Sequence, residues 1–267
     1  MQYRIAIAVG VVALFAANAQ ADDSAGCKPT IIGAAMVRNV IDGRTILLAD
    51  GREVGLAGIV APLRGDDDNA TIAAKAALHN LVAGREISML RLGAETDRYG
   101  RVLALIITPP AATSETGGSA QLAMLAQGQA RVAARVGDAA CTGSFLAAER
   151  VARTAGLGLW SDPYYSIKKA ENPGEVLAQR GRFTLVEGKV LSVRESGGTI
   201  YVNFGRRWSE DFTVTILKRH ERGFIAAGLD PKKLTGRHVR VRGTIEERGG
   251  PWIEAARPEQ IEITERD

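Results

Sequence analysis

The chain reads as a mainly β protein with helices, an α+β fold in two units. Three observations predict this: short alternating apolar segments recur between glycine-marked turns, a few helical stretches interrupt them, and 267 residues is about two domains' length. Hydrophobic residues make up 46% and charged residues 24%, an ordinary globular balance that excludes a disordered chain and a multi-span membrane protein. Thirty-four Lys and Arg against thirty Asp and Glu leave a formal +4, too small an excess for a protein that coats DNA.

The elements follow in order. Arg4 precedes an apolar run, and Ala19-Gln20-Ala21 stands just before Asp22 and Asp23, so residues 1–21 are expected to be a signal peptide and the mature chain periplasmic or secreted. A retained N-terminal anchor is the alternative. The mature chain keeps two cysteines, Cys27 and Cys141. In an oxidising compartment they are candidates for a disulfide that would stabilise the fold by about 4–5 kcal/mol, or else for two buried thiols. No cysteine or histidine spacing suggests a metal site, and His79, His220 and His238 are scattered among unlike segments.

After a short segment, 22–33, residues 36–40 and 45–48 alternate as strands about the turn Ile41-Asp42-Gly43-Arg44. Asp50-Gly51 turns the chain into a third strand over 53–59. Asp66, Asp67 and Asp68 suit the N-terminus of an Ala-rich helix over 70–82, stopped by Gly84; recruitment of a metal by these carboxylates is the other reading. Strands over 87–92 and 102–107 flank the turn Asp97-Arg98-Tyr99-Gly100, and helices follow over 120–127 and 144–155. Residues 161–180 lack an apolar period and are expected to be a linker. Beyond it, five strands with a helix between the third and fourth, over 181–264, are the arrangement of an OB barrel.

Five segments in order carry a family resemblance: Val40-Ile41-Asp42-Gly43-Arg44-Thr45; Leu56-Ala57-Gly58-Ile59-Val60-Ala61-Pro62; Thr96-Asp97-Arg98-Tyr99-Gly100-Arg101; residues 128–133; and Ala147-Ala148-Glu149-Arg150 through Gly158-Leu159-Trp160. Through them residues 34–160 resemble the staphylococcal nuclease (thermonuclease) family. The resemblance implies a small five-stranded OB barrel with three helices that hydrolyses DNA and RNA with calcium, two arginines and a carboxylate base. The cation would neutralise a phosphate oxygen, the base would take a proton from water, and the arginines would stabilise charge on phosphorus.

Position by position, the resemblance places most of that equipment on residues unable to do this work. The metal-ligand positions fall on Arg44 and Val60, the first catalytic arginine on Gly55, the general base on Leu63 and a phosphate-side tyrosine on Ala134. Tyr99 and Arg101 remain as family positions. Arg44, Tyr99 and Arg101 are therefore phosphate-binding candidates, with Arg44 standing where the cation belongs, and calcium is not expected to bind. Asp42 reads as a turn residue. Residues 181–264 resemble the OB-fold domains of nucleic-acid-binding proteins through Gly188-Lys189-Val190, Tyr201-Val202-Asn203-Phe204 and Val239-Arg240-Val241-Arg242-Gly243. There Tyr201, Arg206, Arg207, Trp208, Arg240, Arg242 and Trp252 are candidates for binding single-stranded nucleic acid, which needs aromatic platforms beside basic groups.

The expected partners are nucleic acid or another polyanion, or an envelope protein. Three functions fit: a non-catalytic binder of such a partner, a metal-dependent phosphodiesterase with relocated carboxylates, and a structural envelope protein.

Overall fold

A 13-residue strand, β1 (Thr30–Asp42), organises the first half of the chain. The computed structural model describes residues 29–65, 68–97, 99–109, 118–207 and 209–264. The expected signal peptide, Cys27, Asp66, Asp67 and Trp208 lie outside the described residues. β1 is followed by β2 (Thr45–Leu48), β3 (Glu53–Leu56), β4 (Ile59–Val60), α1 (Asn69–Val82), β5 (Glu86–Arg91) and β6 (Val102–Thr108). The N-terminal part of β1 pairs with β5 and its C-terminal part with β2, with register shifts between Val37 and Asn39 and between Val40 and Asp42. Such irregularities bend a strand, and here the bend lets one strand serve two sides of a barrel. The parallel pairing of β3 with β6 closes a five-stranded ring, β1-β2-β3-β6-β5.

Helix α1 starts where the acidic run predicts: Asp68 is its N-cap and accepts from the Thr71 backbone N–H at 3.0 Å. Ala74, Leu78 and Val82 form its fully buried stripe. The remaining elements of this half are β7 (Gly118–Ser119), α2 (Ala120–Ala126), β8 (Arg131–Val132), which pairs with β4, and α3 (Ala139–Thr154). α3 begins five residues before the expected 144, because Asp138 caps it by accepting from the Cys141 N–H at 2.9 Å. One apolar cluster, including Ile46, Leu56, Met89, Ile106, Met124 and Phe145, fills the barrel and its helix contacts.

The segment over 161–180 is folded, which corrects its reading as a linker. A 3₁₀ turn over Pro163–Tyr165 precedes β9 (Lys168–Lys169) and α4 (Pro173–Leu177), whose Val176 is fully buried. β9 then joins the second half by parallel pairing with β10 (Phe183–Lys189). The rest comprises β11 (Ser192–Ser196), β12 (Thr199–Asn203), β13 (Thr213–Leu217), α5 (Lys218–Ala226), β14 (His238–Thr244), β15 (Glu246–Arg248), β16 (Gly250–Glu254) and β17 (Ile261–Ile263).

These strands do not close into the expected second barrel. They form two sheets, β17-β14-β10-β9 and β11-β12-β13-β16-β15. The cause is local. The chain breaks between β10 and β11 at Val190 and Leu191, whose N–H groups bond to the carbonyls of Arg237 and Asn203, so the two strands enter different sheets. The last expected strand breaks at the 3₁₀ turn Pro258–Gln260, which sends β16 and β17 to different sheets. The two sheets share a second core that includes Val186, Val214, Phe224, Val241 and Ile253.

Candidate functional site

Arg101 is held on the turn between β5 and β6 by Asp97. The Asp97 carboxylate accepts from the backbone N–H of Tyr99 at 2.8 Å and of Arg101 at 3.0 Å, and from the Arg101 Nε at 2.8 Å, with Nη2 also 2.8 Å away. Gly100, at φ +80°, supplies the left-handed step that lets the chain wrap back on this carboxylate. Burial opposes ionisation of Asp97, but the two N–H groups and the guanidinium outweigh it and hold its carboxyl below the usual value. Arg101 also reaches Thr45 Oγ1 at 3.5 Å, and its guanidinium lies 5.3 Å from the ring centre of Tyr99, which is 68% exposed. Two sides of the Arg101 fork are thus already engaged.

Arg44 faces a different space. Its backbone N–H donates to Asp42 Oδ1 at 2.8 Å, so Asp42 is a turn residue. The Arg44 side chain lines a cavity of about 470 Å³ together with Val60, Leu63, Arg64, Arg131, Arg182, Tyr164 and Tyr165, whereas neither Tyr99 nor Arg101 lines it. The three phosphate candidates are therefore divided between two places. The cavity lies between the halves of the chain: the β1–β2 turn at Arg44, residues 60–64 and Arg131 of β8 supply one wall, and the 164–166 turn with the start of β10 supply the other.

Aromatic rings organise its cations. The Arg64 guanidinium sits 3.7 Å from the centre of the Tyr164 ring, with Arg182 at 5.1 Å from the same ring. Arg131 lies 5.3 Å from the rings of Tyr165 and Phe183 and donates through Nη2 to the Phe183 carbonyl at 2.8 Å. Arg131 is only 8% exposed, and burial draws its guanidinium down to about 10 despite the charge of Glu149. Burial, reinforced by Asp68, raises the Tyr165 hydroxyl to about 12. Arg64, Arg131, Arg182 and the two tyrosines were not legible as a site, since four separate segments supply them.

The cavity does not suit calcium. That ion takes six to eight oxygen ligands, carboxylates above all, while these walls offer guanidinium groups and the alkyl side chains of Val60 and Leu63. Among the described residues no group of three or more His, Cys, Asp or Glu side chains comes together as a metal site.

In the second half the candidates also separate. Tyr201, 36% exposed, and Arg206 line an open groove of about 690 Å³ with Arg194, Ser192 and Asn203. Arg207 pairs with Glu210 at 2.9 Å. Arg240, Arg242 and Trp252 are not groove residues, which corrects their placement. Arg240 is paired with Glu187 at 2.9 Å, and Trp252 is 6% exposed with Arg248 packed 4.4 Å from its ring centre. Arg242 is fully buried against Glu149 of α3 and Glu262. The alternation Val239-Arg240-Val241-Arg242 puts both arginines on one face of β14, and in the fold α3 covers the Arg242 end of that face.

Residues 53–162 match the family model described as Staphylococcal nuclease homologue, so this part of the chain is a domain of the staphylococcal nuclease family. No curated protein matches the chain. Among the described residues no helix is long and apolar enough to cross a membrane.

Proposed function

We propose that the chain is an exported, non-catalytic member of the nuclease family that binds single-stranded nucleic acid without cleaving it. The observation that carries this reading is the cavity wall itself. Arg44, Val60 and Leu63, the positions that should hold two metal ligands and a general base, line one space with three further arginines. Loss of a general base alone typically costs about 10² to 10⁴ in rate, and removal of a charge-stabilising donor about 10² to 10³. The Asp97 carboxylate draws Arg101, the remaining family arginine, into an ion pair.

Binding is assigned to the groove of Tyr201, Arg194 and Arg206, where a ring for base stacking stands beside two cations for the backbone. Fluorescence anisotropy with a labelled single-stranded oligonucleotide tests it. The expected result is salt-dependent binding that Tyr201→Ala or Arg206→Ala weakens by about tenfold. Binding unchanged in both variants removes the groove from the account. Export and a Cys27–Cys141 disulfide belong to the same proposal. Cys141 is fully buried at the start of α3. The secreted chain should start after residue 21 and weigh two hydrogens less before reduction than after; an unprocessed chain, or equal masses, overturns that part.

A further inference from the structure

The arginine-lined cavity between the halves has a ligand chemistry of its own. It gathers Arg44, Arg64, Arg131 and Arg182, and among the described residues no carboxylate belongs to its lining. Arg64 is partly balanced by Asp68 at 3.3 Å, whereas among the described residues Arg44, Arg131 and Arg182 are in no ion pair. Arg131 is buried, Arg44 half-buried and Arg182 exposed; the first two pay desolvation without a counter-charge, and an anion between the three cations offsets that cost and their mutual repulsion. Arg131 adds a more specific sign: its Nε is buried and has no hydrogen-bond partner. A buried donor left unmade is costly, and a ligand oxygen would satisfy it.

The chemistry selects the ligand class. Guanidinium forks match tetrahedral oxyanions in bidentate fashion, and Tyr164 and Tyr165 restrict the forks before any ligand arrives. A space of about 470 Å³ accommodates a phosphate with a small substituent.

We propose that this cavity is a binding site for a phosphate monoester, held by Arg44, Arg131 and Arg182 between the two halves of the protein. This rests on the non-catalytic reading of the cavity and is separate from the Tyr201 groove. The cavity takes in three positions of the nuclease constellation, Arg44, Val60 and Leu63, and adds Arg64, Arg131 and Arg182, which lie outside it.

Calorimetric titration of the full mature chain with inorganic phosphate, at constant ionic strength, tests the proposal. Saturable one-site binding is expected, weakened by about tenfold or more in Arg44→Ala and in the exposed Arg182→Ala, and unchanged in Arg219→Ala on the exposed side of α5. Arg182→Lys, which keeps charge but loses the fork, should fall between. A 5′-phosphorylated oligonucleotide that competes with phosphate, where its unphosphorylated twin does not, identifies the source as a polynucleotide end. Failure of both to compete identifies a small free phosphate ester. Absence of saturable binding up to roughly 10 mM, or equal affinity in the wild type and both alanine variants, overturns the proposal. Metal-dependent cleavage would instead overturn the non-catalytic reading beneath it, so the two failures are distinguishable.

Discussion

Arg242 on β14 donates to both carboxylate oxygens of Glu149 on α3, Nη1 to Oε1 at 3.2 Å and Nη2 to Oε2 at 2.8 Å, with both side chains fully buried. Glu149 Oε1 also accepts from the Val132 N–H at 2.7 Å, and Arg242 Nη1 donates to the Val132 carbonyl at 3.0 Å. Arg242 is further bonded to Glu262. Burial alone would pull the Arg242 guanidinium down, yet Glu149 and Glu262 outweigh it and hold it above its ordinary value. The network ties the nuclease-like barrel to the second half.

Breaking this pair from one side should be severe. Glu149→Gln leaves a buried guanidinium short of its counter-charge and is expected to cost about 3–5 kcal/mol, read from urea midpoints. Glu149→Leu with Arg242→Leu should cost less than the sum of the two single changes, since neither member of the pair is left buried without the other. Additive losses would show that the two residues act separately.

Gly128 and Gly158 make the closest backbone approach in the first half. A Cβ on Gly128, at φ +67°, would lie 2.1 Å from the Leu157 carbonyl oxygen, and that stretch is fixed by Leu159 N–H donating to the Gly128 carbonyl at 2.8 Å. Gly156 has a similar φ of +63° but open space around it. Gly128→Ala should therefore cost roughly 2–4 kcal/mol, the left-handed penalty plus the clash, against about 1 kcal/mol for Gly156→Ala. Equal losses in thermal melts would contradict the packing described.

The second half carries an acid-sensitive square. Glu195 accepts from Lys218 at 2.8 Å and pairs with Lys232 at 2.7 Å, and Glu221 lies 3.1 Å from each lysine. Hydrogen bonds from Lys218 and then Lys232 lower the Glu195 carboxyl to about 2. Because the folded value is depressed, the stabilisation is complete above the unfolded carboxylate value of about 4.3 and is lost as pH falls through about 2. The urea midpoint should decline across that window, and Glu195→Gln should flatten the decline. A slope unchanged in Glu195→Gln would place the acid sensitivity elsewhere.

The barrel was legible because its signals are local: alternating strands around Asp50-Gly51, an acidic cap at Asp68, an apolar stripe on α1. The second half misled at Val190 and Leu191. Two apolar residues continue a strand pattern, and the break there depends on carbonyls from Arg237 and Asn203, far along the chain. Arg242 and Trp252 look like surface residues by type, and only the docking of α3 and the sheet packing bury them. Of the site, Arg44, Val60 and Leu63 were legible through family spacing. Their partners Arg64, Arg131 and Arg182 were not, because closure between two halves has no one-dimensional period.

Binding without cleavage is tested by incubating the full mature chain with single-stranded DNA, double-stranded DNA and RNA, each with calcium, magnesium or chelator. All three substrates are predicted to remain intact under every condition, while the single strands stay bound at low salt. Calcium-dependent cleavage that disappears in Arg101→Ala would contradict the claim and make the chain an active nuclease with relocated ligands.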